Sequence, residues 1–204
     1  NVLENAYSTN DKVKLLKASE KATVVNFEST ADVIAYGEKV SDERGEREVF
    51  TVIPSGTTAM MKMPDGSQVP LESGSIRFTE FTVGRDGLER MPGTLPGTSE
   101  YTFAFEASID EADILGASSV EFDRPVFTYV SNFINLPVGS LVPSGYYDRG
   151  LGEWRSEPDG IVVKIMGKEN GIAKVSMSQN EEIVDADTLD KLSFSENELR
   201  NLLI

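Results

Sequence analysis

The chain has 204 residues and a mass of 22.3 kDa, 39 % hydrophobic and 26 % charged, with 19 Lys and Arg against 34 Asp and Glu for a net charge of −15. Such a surface repels nucleic acid and anionic membranes, and no run reaches the roughly 18 apolar residues of a membrane helix, so neither nucleic acid nor membrane insertion is expected. Cysteine and histidine are both absent, which removes disulfides, thiolate and imidazole metal sites, cysteine nucleophiles and the Ser-His-Asp triad and leaves the expectation that the chain is not an enzyme.

Residues 1–12 carry no periodicity and read as a linker or frayed terminus. The chain opens on Asn1 with no charged-then-apolar leader, so it reads as a fragment or processed piece of something longer. From residue 13 onward, short runs rich in Val, Ile, Thr, Phe and Tyr predict strands. They fall at Val13–Leu16, Ala22–Phe27, Arg47–Ile53, Thr58–Met63, Ile76–Val83, Tyr101–Ile109, Val120–Asp123, Val126–Val130, Ile161–Met166 and Ala173–Met177. In Tyr101–Ile109 the residues Tyr101, Phe103, Phe105 and Ala107 share one face, a pattern that suits a sandwich core better than a ligand platform.

Asp65-Gly66, Asp86-Gly87, Asp159-Gly160 and Asn170-Gly171 mark tight turns. Pro54-Ser-Gly56 and Pro143-Ser-Gly145 read as turns of a second kind. Residues 91–99 hold two Pro-Gly steps, so they form a crossover or a linker. A boundary near Pro92–Thr98 would divide a first β-sandwich region, 13–95, from a second, 96–180. Residues 181–204 read as a helical tail. There Ser195 and Glu198 form a capping box, Phe194 and Leu199 the staple, and Leu199, Leu202 and Leu203 an apolar stripe that packs on its own protein. Asp187–Leu192 adds a further helical turn. The expected fold is all-β: one or two antiparallel Greek-key-like sandwiches with a short C-terminal helix.

No nucleophile elbow, P-loop or dinucleotide fingerprint occurs, and Gly150-Leu-Gly152 is a turn. A carboxylate hydrolase would draw on Glu80, Glu100, Glu106 or Glu121, but with 34 acids chance pairing is expected, and a solvated face explains them. Calcium candidates are Asp185, Asp187 and Asp190 with Glu181 and Glu182, and the set Asp110, Glu111 and Asp113. The first set lacks the turn Gly and final Glu of an EF-hand; acids at helix starts are the simpler reading, and no cofactor is assigned. The densest aromatic segment is Tyr146-Tyr147-Asp148-Arg149 followed by Trp154. Tyr146, Tyr147, Arg149 and Trp154 are candidate binding residues, set against a hairpin whose aromatics cover the end of the sandwich, which is the favoured reading.

An ordered set of segments carries a family resemblance. It comprises Ile53-Pro-Ser-Gly-Thr-Thr-Ala59, Met63-Pro-Asp-Gly-Ser67, Arg77-Phe-Thr-Glu-Phe-Thr-Val-Gly84, Met91-Pro-Gly-Thr-Leu-Pro96 and Ser99-Glu-Tyr-Thr-Phe-Ala-Phe-Glu106. Asp110-Glu-Ala112, Arg124-Pro-Val126, Asn132-Phe133, Pro137-Val-Gly139, Val142-Pro-Ser-Gly-Tyr-Tyr-Asp148 and Trp154 follow. From about Val13 to the C-terminus the chain resembles the region preceding the repeats in bacterial Rhs/YD-repeat proteins, large secreted or surface proteins related to teneurins and toxin shells. More distantly it is similar to the paired β-sandwiches of ankyrins and netrin receptors. Some of that group cut themselves at a His-Phe-Ser site, and this chain, lacking His, inherits no catalytic residue.

The resemblance implies a non-catalytic structural or interaction module, secreted or at the cell surface, whose partners are neighbouring domains of the same polypeptide. The alternative it leaves open is a module that binds a cell-surface protein or glycan through the Tyr146–Trp154 hairpin. Gly56, Gly139 and Gly145 are the expected backbone turns, and Tyr147 with Trp154 the expected hairpin pair.

Overall fold

A computed structural model of the chain describes residues 15–84, 87–93, 102–192 and 194–202. The fold is all-β with antiparallel sheets and short helices. The chain runs β1 (Thr23–Asn26), β2 (Val33–Tyr36), β3 (Val40–Asp42), β4 (Gly45–Arg47), β5 (Val49–Ile53), β6 (Ala59–Lys62), β7 (Gln68–Leu71) and β8 (Ser73–Glu80). After a 3-10 turn at Gly87–Arg90 come β9 (Phe105–Ile109), α1 (Asp110–Leu115), β10 (Ser119–Phe122) and β11 (Phe127–Val130). Two hairpins follow, β12 (Leu141–Asp148) with β13 (Glu153–Ile161) and β14 (Lys164–Glu169) with β15 (Ile172–Ser176). The chain closes with α2 (Ala186–Lys191) and α3 (Glu196–Asn201).

Three sheets, ordered β1-β8-β9, β10-β6-β7 and β11-β5-β2, surround one core. Alternation places Ile76 and Phe78 of β8, Ala59 and Met61 of β6, and Val49 and Ile53 of β5 inside, since successive side chains of a strand point to opposite faces. Phe105 lies edge-on to Phe78 at 5.7 Å between ring centres, and Phe103 tilts against Phe105 at 5.6 Å. These aromatics serve packing, as their period of two suggests. Tyr101 lies outside the described residues.

The strands on the two sides of Pro92–Thr98 pair with one another: β6 with β10, β5 with β11, and β8 with β9. Shared backbone ladders tie 23–80 to 105–130 within the same sheets, so that boundary falls inside a sheet system rather than between two. A second, smaller core joins Ala173 and Val175 of β15 to Leu199 and Leu202 of α3, with Phe50, Tyr129 and Phe194 around them. The C-terminal stripe therefore docks on its own protein. Its capping box is formed as the sequence indicates, with Ser195 accepting from the Glu198 amide and the Glu198 carboxylate accepting from the Ser195 amide. Leu203 lies outside the described residues.

Several expectations are corrected. Pro143-Ser-Gly145 is not a turn but part of β12, where the register shifts between Val142 and Ser144 as a bulge. Asp159-Gly160 lies inside β13, opposite that bulge. Leu15 and Leu16 belong to no strand, Leu15 being 91 % exposed, while Val13 and the whole segment 1–12 fall outside the described residues. No helix among the described residues is long and apolar enough to cross a membrane.

Candidate functional site

The β12–β13 hairpin sets Tyr147 opposite Trp154, Tyr146 opposite Arg155 and Asp148 opposite Glu153. Its turn closes on Asp148, whose Oδ1 accepts the amides of Gly150 and Leu151 at 2.9 and 3.0 Å, a side-chain device typical of Asx turns. Alternation then sorts the aromatics onto two faces. Tyr147 and Trp154 share one face, with ring centres 5.6 Å apart. The Trp154 indole Nε1–H donates to the Pro92 carbonyl at 3.0 Å. Gly93 lies so close to Tyr147 that a Cβ there would stand 2.7 Å from the ring, and its φ is +75°. Tyr146 occupies the other face, 47 % exposed. Arg149, at the turn, forms an ion pair with Glu106 of β9.

The four binding candidates thus divide. Tyr147 and Trp154 clamp the hairpin tip to Pro92 and Gly93, Arg149 ties the turn to Glu106 of β9, and Tyr146 faces outward. Between tip and base, Ser144–Tyr146 and Arg155–Gly160 are exposed on both faces.

The acidic candidates are dispersed among structural duties. Asp185 caps α2, its carboxylate accepting from the Thr188 amide and hydroxyl, each at 2.9 Å, and the amide bond chiefly holds it below the usual carboxylate range. Asp187 and Asp190 are exposed along α2. In the second set, Asp110 pairs with Arg77 at 2.7 Å and Glu111 accepts from the amide and hydroxyl of Ser75. Among the described residues no three acids converge on a metal-sized space. Of the hydrolase candidates, Glu106 pairs with Arg149 and Glu121 with Lys62, and Glu100 lies outside the described residues.

Glu80 belongs to a cluster that motif reasoning misses. Arg47, with a fully buried side chain, grips Asp42 with two nitrogens at 2.8 and 2.9 Å. It also binds Glu80 Oε1 through Nε at 2.8 Å and Nη2 at 2.7 Å, and its guanidinium lies 5.1 Å from the Phe133 ring centre. The Arg47 hydrogen bonds hold the Asp42 carboxyl well below the ordinary range and raise the guanidinium still further. A signal was present: Arg47, Val49, Thr51 and Ile53 share one inward face, and an Arg on the buried face of a strand demands carboxylate partners. Beside this cluster, a cavity of about 190 Å³ opens between β5, β8 and the segment 15–21.

Comparison of the chain with known protein families, with curated proteins and with solved structures found no match.

Proposed function

We propose that the chain is a non-catalytic structural and interaction module of a large secreted or cell-surface protein of the Rhs/YD-repeat type, holding its neighbouring domains in place. The observation that carries this reading is the docking of Trp154 and Tyr147 on residues 91–93. A two-stranded hairpin alone is marginal in water; here its aromatic tip is spent on fixing it to the body. Polar groups elsewhere follow the same logic, since Arg47, Arg77, Glu111 and Glu198 tie strands and helices together. The acidic surface would keep a large exported assembly in solution.

The test is the intact mass and flanking sequence of the native product. A polypeptide much larger than this chain, with Tyr-Asp repeats beside it, is the expected result. A free-standing product of this size would overturn the reading.

A second reading rests on Tyr146, which lies on the face opposite the docked Tyr147–Trp154 pair: recognition of a surface protein or glycan by the outer face of the hairpin. Tyr146→Ala would then abolish binding of the parent assembly to its target cells while leaving the melting temperature within about 1 °C, because an exposed ring contributes little to stability.

A further inference from the structure

We propose that the outer edge of β12, from Ser144 to Tyr147, takes up an extended, lysine- or arginine-bearing segment of a partner protein as an added strand. The inference rests on the second reading above and names the partner that the outer face of the hairpin would recognise.

The edge itself is open. In an antiparallel pair every second residue of each strand turns its N–H and C=O away from its partner. β12 pairs with β13, and among the described residues no other strand or helix runs alongside either. Gly145 is exposed, and because glycine has no side chain this exposure belongs to the backbone. Ser144 and Tyr146 beside it are exposed too. Edge strands are commonly blunted by charge or proline. β13 has both, with Glu153, Arg155, Glu157 and Asp159 along it and Pro158 lacking a donor. β12 has Pro143 at its bulge and then no charged residue until Asp148, so Ser144–Tyr147 is the stretch left for pairing.

Charge selects the occupant. Successive pairs alternate between faces, so Ser144–Glu157, Tyr146–Arg155 and Asp148–Glu153 share the face opposite the docked Tyr147–Trp154 pair. The carboxylates of Asp148, Glu153 and Glu157 stand there against the single guanidinium of Arg155. Arg155 is taken by Glu153 at 2.9 Å, and Glu157 is exposed with no ion pair among the described residues. A strand beside β12 lies two strand spacings, about 10 Å, from β13. Ser144 is small, so a lysine on the added strand can reach across it toward Glu157, a gap the two extended side chains span together. A cationic neighbour can also lie over the Tyr146 ring, which is 47 % exposed. A second copy of the chain fits less well, since like charges on facing strands oppose pairing and each copy carries a net charge of −15. A glycan would form no backbone ladder with the edge.

The test titrates the whole chain, followed by backbone amide NMR shifts, with an acetylated and amidated peptide of alternating Lys and Val. The same peptide with Glu for Lys is the charge control, and chitohexaose is the glycan probe. The expected result is saturable binding of the Lys-Val peptide with shifts centred on Ser144–Tyr147, and no binding of the Glu-Val peptide or chitohexaose. N-methylation of one alternate set of peptide amides, those turned to β12, should abolish binding, and N-methylation of the other set should leave it. Simple charge attraction would not tell the two sets apart. Glu157→Lys and Tyr146→Ala should each weaken binding at least about fivefold with unchanged melting temperature. Glu182→Lys makes the same change of net charge at an exposed residue outside the hairpin and should bind as the wild type does. Strand addition would be overturned by no saturable binding of the Lys-Val peptide, equal binding of the two peptides or equal sensitivity to the two sets of N-methyl groups. Saturable binding of chitohexaose, or dimerisation of the chain through β12, would overturn it as well. If Tyr146→Ala then still abolishes attachment of the parent assembly to its target cells, strand addition falls and the recognition reading stands; if attachment is unaffected, both fall.

Discussion

Arg47 illustrates how one side chain can organise a fold. It is fully buried between Asp42 and Glu80, and removing it would leave two carboxylates facing each other out of water. Arg47→Ala should cost about 3–5 kcal/mol, the usual penalty for breaking a buried ion pair by deleting one partner, measured by urea unfolding. Asp42 fixes the pH dependence. Its folded pKa lies below the unfolded value, so its stabilisation is complete above the unfolded carboxylate range near pH 4 and is lost as pH falls from there. Asp42→Asn should flatten the acid limb of a melting-temperature profile; an unchanged limb would contradict the pairing. Glu198 has the opposite sign. Burial raises its pKa against the hydrogen bonds from Tyr129 and the Ser195 amide, so the ionised form is disfavoured by folding. Compared with Glu198→Gln, the wild type should gain stability as pH falls through the folded Glu198 value. The sequence carried a trace of this cluster in the inward register of Arg47. The partners came from β3 and β8 and had no mark of their own, since neither Asp42 nor Glu80 stands at a motif spacing.

Among the elements, those governed by local rules were the legible ones. The capping box of α3 needs only residues within one turn, and β1, β5, β6, β8, β10, β11 and β15 announce themselves by apolar alternation or β-branched runs. The short polar strands β3, β4 and β7 do not, because SD, GE and QVP carry no apolar period and depend on neighbours across the sheet. The β12 bulge escaped for a similar reason: Pro143-Ser-Gly145 has turn chemistry, yet β13 supplies a partner for Ser144–Asp148. Two glycines behave differently there. Gly139 has φ +85° and a Cβ would collide with the Met177 carbonyl, so Gly139→Ala should displace the C-terminal hairpin and lower the melting temperature by several degrees. Gly145 lies in a strand, where a Cβ would stand 2.5 Å from the Arg155 carbonyl oxygen; it serves close approach rather than a turn. Gly56, at φ +70°, is the turn glycine the sequence suggested. Ser195→Ala should cost about 1 kcal/mol by removing the cap, seen as faster amide exchange in α3 before the sheets respond.

For the whole molecule, three sheets and a docked helix form the body, and a long hairpin is held against it by its tip. The proposed scaffold role depends on that attachment, because a hairpin exposed through its middle on both faces gains stability from its ends. Trp154→Ala should cost about 2 kcal/mol, less than the 3–5 of a fully buried ring because the side chain is half-buried. The most direct measurement is native-state amide hydrogen exchange across β12 and β13 in wild type and Trp154→Ala. Docking predicts that the amides of Tyr146 and Arg155, which face each other across the ladder, exchange slowly in the wild type and lose protection in the variant. Exchange of these amides at unstructured-peptide rates in the wild type, or protection unchanged by the substitution, would contradict a tip-anchored hairpin.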